Sequence, residues 1–118
     1  MHSGTLNELR LDARVAEVLP LRRTPAGTAV ATCVLAHASS QIEAGLAREV
    51  SLELQAVAVG DLASVLAVAT PGTALRVSGF VAAKSLRSRA PVMHLNTIEF
   101  LEGNGNGFQE VQQVQEEG

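Results

Sequence analysis

The sequence predicts a small all-β barrel with one short helix, followed by a separate acidic segment. Three observations lead to this prediction. The chain has 118 residues, 47% of them hydrophobic, which is enough to bury the core of one ordinary domain. Several stretches show the two-residue apolar period of half-buried strands, and one stretch shows a helical period. After Leu101 the composition changes to Gly, Asn, Gln and Glu.

The first two predicted strands flank a turn-rich loop. Apolar and polar residues alternate strictly over residues 8–15, which predicts the first strand, with a bend expected at 16–18. The segment LPLRRTPAG at 19–27 contains two prolines and a glycine, so it is expected to form a loop. A second strand is expected from 28 to 37.

A hairpin-type connection and a helix follow. Residues 38–47 are mostly small or polar, which favours a connection before a third alternating strand at 49–56. Between residues 60 and 70, apolar side chains recur at helical spacing. Asp61 is well placed to cap the N-terminus of this helix.

Two more strands complete the predicted domain. The fourth spans 75–84, with a bulge or bend expected at Gly79, and the last runs from 92 to about 101 after a polar loop. Three strands, a helix and two strands is the element order of an OB-fold, a five-stranded Greek-key barrel with its helix between strands 3 and 4. Other small barrels remain alternatives.

The charge is unevenly distributed. The net charge is −3, but residues 102–118 carry four Glu and no Lys or Arg, so the preceding part sums to +1. Residues 1–101 are therefore predicted to form the OB-fold domain, and 102–118 a flexible acidic, Gly/Gln-rich tail. Phe108 in this tail is interpreted as part of a disordered segment, with a short partner-docking helix as the alternative.

The most informative cluster for function is Lys84, Arg87 and Arg89, interleaved with Ser85 and Ser88 on one predicted loop. Arginine offers a planar fork of N–H donors and serine a hydroxyl, so such a loop can follow a phosphate backbone without reading its sequence. A plain solvated surface loop is the alternative interpretation.

Two further groups strengthen a nucleic-acid hypothesis. Arg22 and Arg23 lie on the loop after the first strand, and in an OB-fold this loop and the one between strands 4 and 5 flank the ligand face. Phe80 shares a predicted strand face with Arg76 and Lys84, where an exposed ring could stack on a base. A core position for Phe80 is the alternative.

Catalytic and metal-binding residues are not indicated. His37, His94 and Cys33 show none of the spacings of known nucleophile or metal motifs. A single cysteine cannot form an intrachain disulfide, and Cys33 is interpreted as a small buried hydrophobe. The N-terminus lacks a long apolar stretch, and no run is long enough to cross a bilayer, so a cytoplasmic protein without cofactor or metal is expected.

Three stretches carry a family resemblance. They are TPAG at 24–27, LAHASSQIEAG at 35–45 and VSGFVAAKSLRSRAP at 77–91. In order and separation they resemble the primosomal replication protein N (PriB) family of bacterial replication restart, across nearly all of residues 6–101.

The resemblance implies a non-enzymatic OB-fold homodimer related to single-stranded DNA-binding protein. It implies association through strand edges, binding of single-stranded DNA without marked sequence preference, and stimulation of the primosomal helicase PriA, with other primosome proteins as further possible partners. The family's basic loop maps onto Lys84, Arg87 and Arg89.

The chain departs from the family at two aromatic positions. Ser51 stands where enterobacterial members carry a DNA-stacking tryptophan, and Leu46 where they carry a phenylalanine. Losing one stacking platform predicts DNA affinity weaker by roughly one to two decades. This motivates an alternative function, an OB-fold interaction module that docks helicase with little DNA binding of its own. A small hydrolase using His37 or His94 is a third, disfavoured hypothesis.

Overall fold

The computed structural model describes residues 4–101 and the backbone of 111–115. These residues form seven strands and one helix: β1 Leu9–Val18, β2 Arg22–Arg23, β3 Ala29–Glu43, β4 Leu46–Val59, α1 Asp61–Ala67, β5 Ala74–Ala83, β6 Pro91–Leu101 and β7 Val111–Gln115.

Five of the strands close into a barrel. The strand order is β1-β5-β6-β4-β3, and β3 returns to pair with β1 from Arg14↔Ala36 to Val18↔Cys33. The β4–β6 pair is parallel and spans Gln55↔Val92 to Val57↔His94, whereas the other pairs are antiparallel. With α1 between β4 and β5, this is the OB-fold arrangement, and the predicted fold class is confirmed.

Two bulges let these strands curve around the barrel. The β1–β3 register shifts between Val15 and Glu17, within the region where the sequence predicts a bend. The β5–β6 register shifts between Ser78 and Gly79, as the glycine predicts. A Cβ atom at Gly79 would collide with the carbonyl oxygen of His94, so only glycine allows β6 to lie this close.

The core lies inside the barrel and is closed at one end by α1. Leu62, Ala63 and Leu66 on one face of the helix are buried against the inward residues of the strands. Leu35 and Met93 are among the fully buried strand residues. Burying a side chain of this size contributes about 1.5–3 kcal/mol, so the inward face of the strands and helix accounts for the stability of the fold.

The connection predicted at 38–47 is wrong in extent. The strands β3 and β4 continue through it as a long hairpin, paired from Val30↔Val59 to Glu43↔Leu46. Ala44 and Gly45 alone form the turn, with φ of 52° and 81°, the positive values of a type I′ turn. Alanine is unusual at such a φ value, so the residue pattern does not indicate so tight a turn.

Two local predictions are also wrong. Arg22 and Arg23 lie on the short strand β2, paired with Val30 and Ala29, and not on an irregular loop. The residue that caps α1 is Gly60, with φ of 82°, and it makes no side-chain cap. Asp61 is instead in the first turn, where its negative charge favours the helix dipole.

Part of the predicted tail also has regular structure. Val111–Gln115 form β7, which pairs antiparallel with β6 from Leu101↔Val111 to Thr97↔Gln115. The flexibility expected for 102–118 stays a prediction. Phe108 and the four glutamates of this segment lie outside the described residues. Within the described part of the chain, no helix is long and apolar enough to span a membrane.

Candidate nucleic-acid interface

The side chains of β3, β4, β6 and β5 that point away from the core form one continuous surface, the outer face. Its central row follows from strand register: Thr32 pairs with Val57, Val57 with His94, and His94 with Phe80. Directly paired residues project to the same side of a sheet, and their neighbours Cys33, Ala56 and Met93 are fully buried. The row therefore lies on the outside of the barrel.

Phe80 and His94 form a stacked pair of rings in this row. Their centroids are 5.0 Å apart and their planes differ by 2°. Phe80 keeps 40% of its surface exposed, so it is not a core residue. The stack holds a flat aromatic surface at the solvent boundary, which is the kind of platform on which unpaired bases stack.

Arg22 lies on the same outer face. It pairs with Val30, which pairs with Val59, and this row is next to the central row at the helix end of the barrel. Arg23, the next residue of β2, points to the opposite side of the sheet, and its Nη1 donates to the Gly27 carbonyl at 3.0 Å. Of the two predicted arginines, the register brings Arg22 to the outer face, and Arg23 stabilises its own turn.

The segment Lys84–Ala90, here called the basic loop, continues from β5. Phe80 and Ala82 are the last two outward positions of β5, and Lys84 follows two residues later, where the strand has ended. The Lys84 N–H donates to the Ala90 carbonyl at 2.8 Å, which closes the loop at its base. Arg87 and Arg89 are exposed on it. The loop thus projects cations at the β5 side of the outer face.

The two loop serines shape the backbone. The Ser85 N–H donates to the Ser88 carbonyl at 3.0 Å, and the Ser88 N–H donates to Ser85 Oγ at 2.9 Å. Ser88 Oγ lies 3.4 Å from the Ala90 N–H. Both hydroxyl oxygens act here as acceptors, so their O–H groups remain available as donors.

Within residues 4–101, no carboxylate forms an ion pair with the cations of this surface. The ion pairs among residues 4–101 are Arg48–Glu43 at 2.8 Å and Arg76–Asp12 at 2.7 Å. Arg22 and the three cations of the basic loop take part in neither pair. A polyanion would therefore meet free positive charge at the helix end and along the basic loop.

The hairpin end of the outer face has a different character. Glu49, Ser51 and Glu53 project outward from β4 and pair with Ser40, Ala38 and Ala36 on β3. These outward positions carry two carboxylates and no cation, because Arg48 projects to the other side, where it bonds Glu43. Arg22 thus lies on the helix side of the ring stack. The basic loop and these carboxylates both lie on its hairpin side, because β6, which starts at the end of the loop, runs parallel to β4.

The three residues considered as catalytic candidates, Cys33, His37 and His94, are each buried or engaged in contacts within the fold. Burial raises the pKa of the Cys33 thiol to about 12, so the reactive thiolate is scarce at neutral pH. His37 Nδ1 is 2.6 Å from the Asp12 carbonyl oxygen and its Nε2 is 2.8 Å from Ser39 Oγ, which holds β3 to β1. His94 belongs to the ring stack. Within the described residues, no cluster of His, Cys, Asp and Glu could hold a metal ion.

The residue that sequence reasoning missed is His94. Its partnership with Phe80 depends on the register of β5 and β6 after the Gly79 bulge, and each residue alone looks like an ordinary strand residue. The contact between these two rings could be predicted only if the position of the bulge were known. A register shift of one residue would move one of the rings into the core.

Comparisons with known proteins show the family to which the chain belongs. A family model described as another single-strand binding protein family matches residues 7–97. A replication restart protein PriB from Bordetella pertussis is 40% identical over 99 residues, which cover 84% of this chain and 92% of that protein. The chain belongs to the PriB family. A PriB from Nitrosomonas europaea is 30% identical over 95 residues.

Solved structures extend the likeness to three dimensions. The PriB of Ralstonia solanacearum shares 36% identity with a TM-score of 0.76, covering 81% of this chain and 98% of that one. The single-stranded DNA-binding protein of Thermus aquaticus shares 25% identity with a TM-score of 0.68 and covers 85% of this chain, which spans 52% of that protein. The PriB family and this single-stranded DNA-binding protein therefore share the barrel described above.

Proposed function

We propose that this protein binds single-stranded DNA without sequence preference as an accessory factor of replication restart, and that it stimulates the primosomal helicase PriA. One observation carries the DNA-binding part: an exposed Phe80–His94 stack lies between cations that no described carboxylate neutralises. Stacking on rings tolerates any base, and phosphate contacts carry no sequence information, so this combination favours binding without sequence readout.

The proposed contacts are those of the helix end and the basic loop. Phosphates contact Arg22, Lys84, Arg87 and Arg89, with Ser85 and Ser88 as hydroxyl donors, and a base stacks on Phe80. Arg23 contributes positive charge near this path, although its guanidinium also bonds Gly27. From β2 to β5 there are four strand spacings, about 19 Å, which a single strand several nucleotides long would cross.

The salt dependence of binding tests the basic loop. Each phosphate neutralised on a single strand contributes a slope of about 0.7 in log K against log salt. Replacing Lys84, Arg87 and Arg89 together by Ala is expected to flatten that slope by up to about 2. The measurement is fluorescence anisotropy of a labelled oligonucleotide across a salt series, since the chain has no Trp or Tyr.

A second triple variant is the control for net charge. Arg10 and Arg14 lie on β1, and Arg48 lies on the side of the hairpin opposite to Glu49 and Glu53. None of the three is a proposed contact, and replacing all three by Ala removes the same charge. The control should keep the slope within about one contact of the wild-type value. If the loop variant binds with unchanged affinity and slope, the basic loop does not contact DNA.

A protein-interaction module is the second candidate function. The acidic hairpin end and Ser51 favour it, because the surface where relatives are expected to stack DNA here carries Glu49 and Glu53. This module would bind purified PriA in a pull-down while its affinity for oligonucleotides stayed weaker than about 100 μM at physiological salt. Tighter DNA binding would exclude it as the main function.

The remaining parts of the proposal concern assembly and organisation. We infer a cytoplasmic homodimer that is not an enzyme and needs no cofactor. The edge of β1 from Leu9 to Ala13 supports association through strand edges, because it pairs with β5 on one side only and β3 joins it from Arg14 onward. Sedimentation equilibrium gives the oligomeric state. The boundary between a domain at 1–101 and an acidic segment at 102–118 stays a prediction.

A further inference from the structure

A small cavity opens beside the ring stack at the helix end of the outer face. It has a volume of about 210 Å³ and is lined by Val57, Val59, Leu62, Phe80, His94, Leu95 and Asn96. Ligands of drug or cofactor size need about 300–1,000 Å³, so the cavity has room for something smaller. Its walls are the edge of the aromatic stack and apolar side chains of β4, with one amide at its rim.

Asn96 is that amide. It is exposed, and within the described part of the chain its side chain makes no hydrogen bond or other polar contact. An amide offers both a donor and an acceptor, so it can bond the edge of any nucleobase. This separates the cavity from a purely apolar gap, because a polar group at its rim is available to a ligand.

Charge next to the cavity indicates what the ligand is. Val59, in the cavity wall, pairs with Val30, and Val30 pairs with Arg22, so a cation lies two strands away on the same row. The basic loop lies on the other side of Phe80. A planar aromatic group linked to phosphates on both sides fits this order of cation, cavity, ring stack and cations.

We propose that this cavity binds one base of the single strand, held by the Phe80–His94 edge and by a hydrogen bond to Asn96. The inference rests on the proposed function and adds a specific site to it, with His94 and Asn96 as binding residues. It makes one nucleotide of the bound strand differ from its neighbours, because that base turns into the barrel surface while its phosphates stay on the cations.

The test separates base contacts from phosphate contacts. Affinities are measured by anisotropy for a labelled (dT)15 and for a 15-mer of abasic sites, which has the same backbone charge. We expect the wild type to bind (dT)15 at least about fivefold tighter than the abasic strand. His94→Ala and Asn96→Ala should each lower that ratio while leaving the salt slope unchanged.

Controls keep the result specific. His37→Ala removes the other described histidine, on the inner side of the hairpin, and should leave the ratio as in the wild type. His94→Gln, with the circular dichroism spectrum and urea midpoint of each variant, shows that a lowered ratio is not loss of folding. The basic-loop triple variant should keep the ratio and lose slope.

Each outcome decides between the two proposals. An unchanged ratio in both His94→Ala and Asn96→Ala overturns the base site, while a slope that still depends on the basic loop leaves the proposed function intact. A wild type that binds neither strand overturns both. A ratio lowered by the cavity variants and a slope lowered by the loop variant support both.

Discussion

The two ends of the outer face are built on the same strands and differ in surface chemistry. At the helix end, Phe80 and His94 stack and Arg22 is nearby. Toward the hairpin end, Glu49 and Glu53 flank Ser51 on β4, and the basic loop projects from β5 on the same side of the ring stack. The difference lies in the side chains alone, because the pairing of β3 with β4 is continuous between the two ends.

The largest expected effect is on the free energy of unfolding, when a glycine at each end is replaced by alanine. Gly79→Ala would force a Cβ into the His94 carbonyl and should destabilise the protein by about 3 kcal/mol. Gly45→Ala, at the open hairpin turn with φ of 81°, meets no atom and should cost only about 1–2 kcal/mol of left-handed strain. Urea unfolding followed by far-ultraviolet circular dichroism measures both free energies.

The same pair of variants separates the two ends functionally. Any properly folded fraction of Gly79→Ala should bind DNA more weakly, because the altered β5–β6 register moves the ring stack. Gly45→Ala should bind as the wild type does. Equal destabilisation by the two substitutions would show that the close approach of β5 and β6 is not a tight constraint.

The next prediction concerns the hairpin end and tests whether an aromatic ring there is sufficient for DNA binding. Ser51→Trp places an indole on its outward side and should tighten binding of (dT)15 by at least about fivefold. Gln41→Trp puts the same ring on the opposite side of the hairpin and should change little. If Ser51→Trp has no effect in anisotropy, repulsion by Glu49 and Glu53 keeps the strand away from this end.

The smallest effect concerns the ion pairs of the two regions. The hydrogen bond from Arg76 holds the pKa of Asp12 below its usual range. A carboxyl with a lowered folded pKa stabilises the protein above its unfolded pKa, and this contribution is lost as the pH falls through the folded value. Asp12→Asn should therefore lower the Tm slightly at pH 7, and the difference should disappear well below about pH 4.

A matched substitution exists at the hairpin. Glu43→Gln removes the exposed pair with Arg48 near the turn, beyond the residues at which β3 pairs with β1 and β4 pairs with β6. Its effect on the Tm should be smaller than that of Asp12→Asn, because the Asp12–Arg76 pair joins β1 to β5. A larger loss in Glu43→Gln would mean that the hairpin is an integral part of the cooperative fold.

Sequence periodicity was sufficient for the barrel and insufficient for its extensions. The alternation in β1 and β4, the helical spacing in α1 and the glycine at 79 are local signals, and each led to the correct element. The long hairpin was missed because its outer residues are exposed on both sides, so no apolar period marks them as strand. The pairing of Val111–Gln115 with β6 is likewise a long-range contact without a local signature.

The candidate site was predictable in charge and unpredictable in arrangement. Lys84, Arg87 and Arg89 are adjacent in sequence, so their loop was found directly. Arg22 points to the outer face and Arg23 to the other side because they are successive residues of a strand. The sequence alone does not show this, since it depends on the short pairing of β2 with β3. The stack and the Asn96 cavity required the exact partner of every residue in β6, which composition and spacing do not specify.

The parallel contact between β4 and β6 has a consequence for stability. It spans only Gln55–Val57 and Val92–His94, far less than the antiparallel neighbours, so it is the weakest seam in the wall of the barrel. Val57 and His94 stand on opposite sides of that seam. A ligand that contacts both residues at once would stabilise the β4–β6 pairing against local opening. Amide hydrogens of these paired residues would then exchange with solvent more slowly.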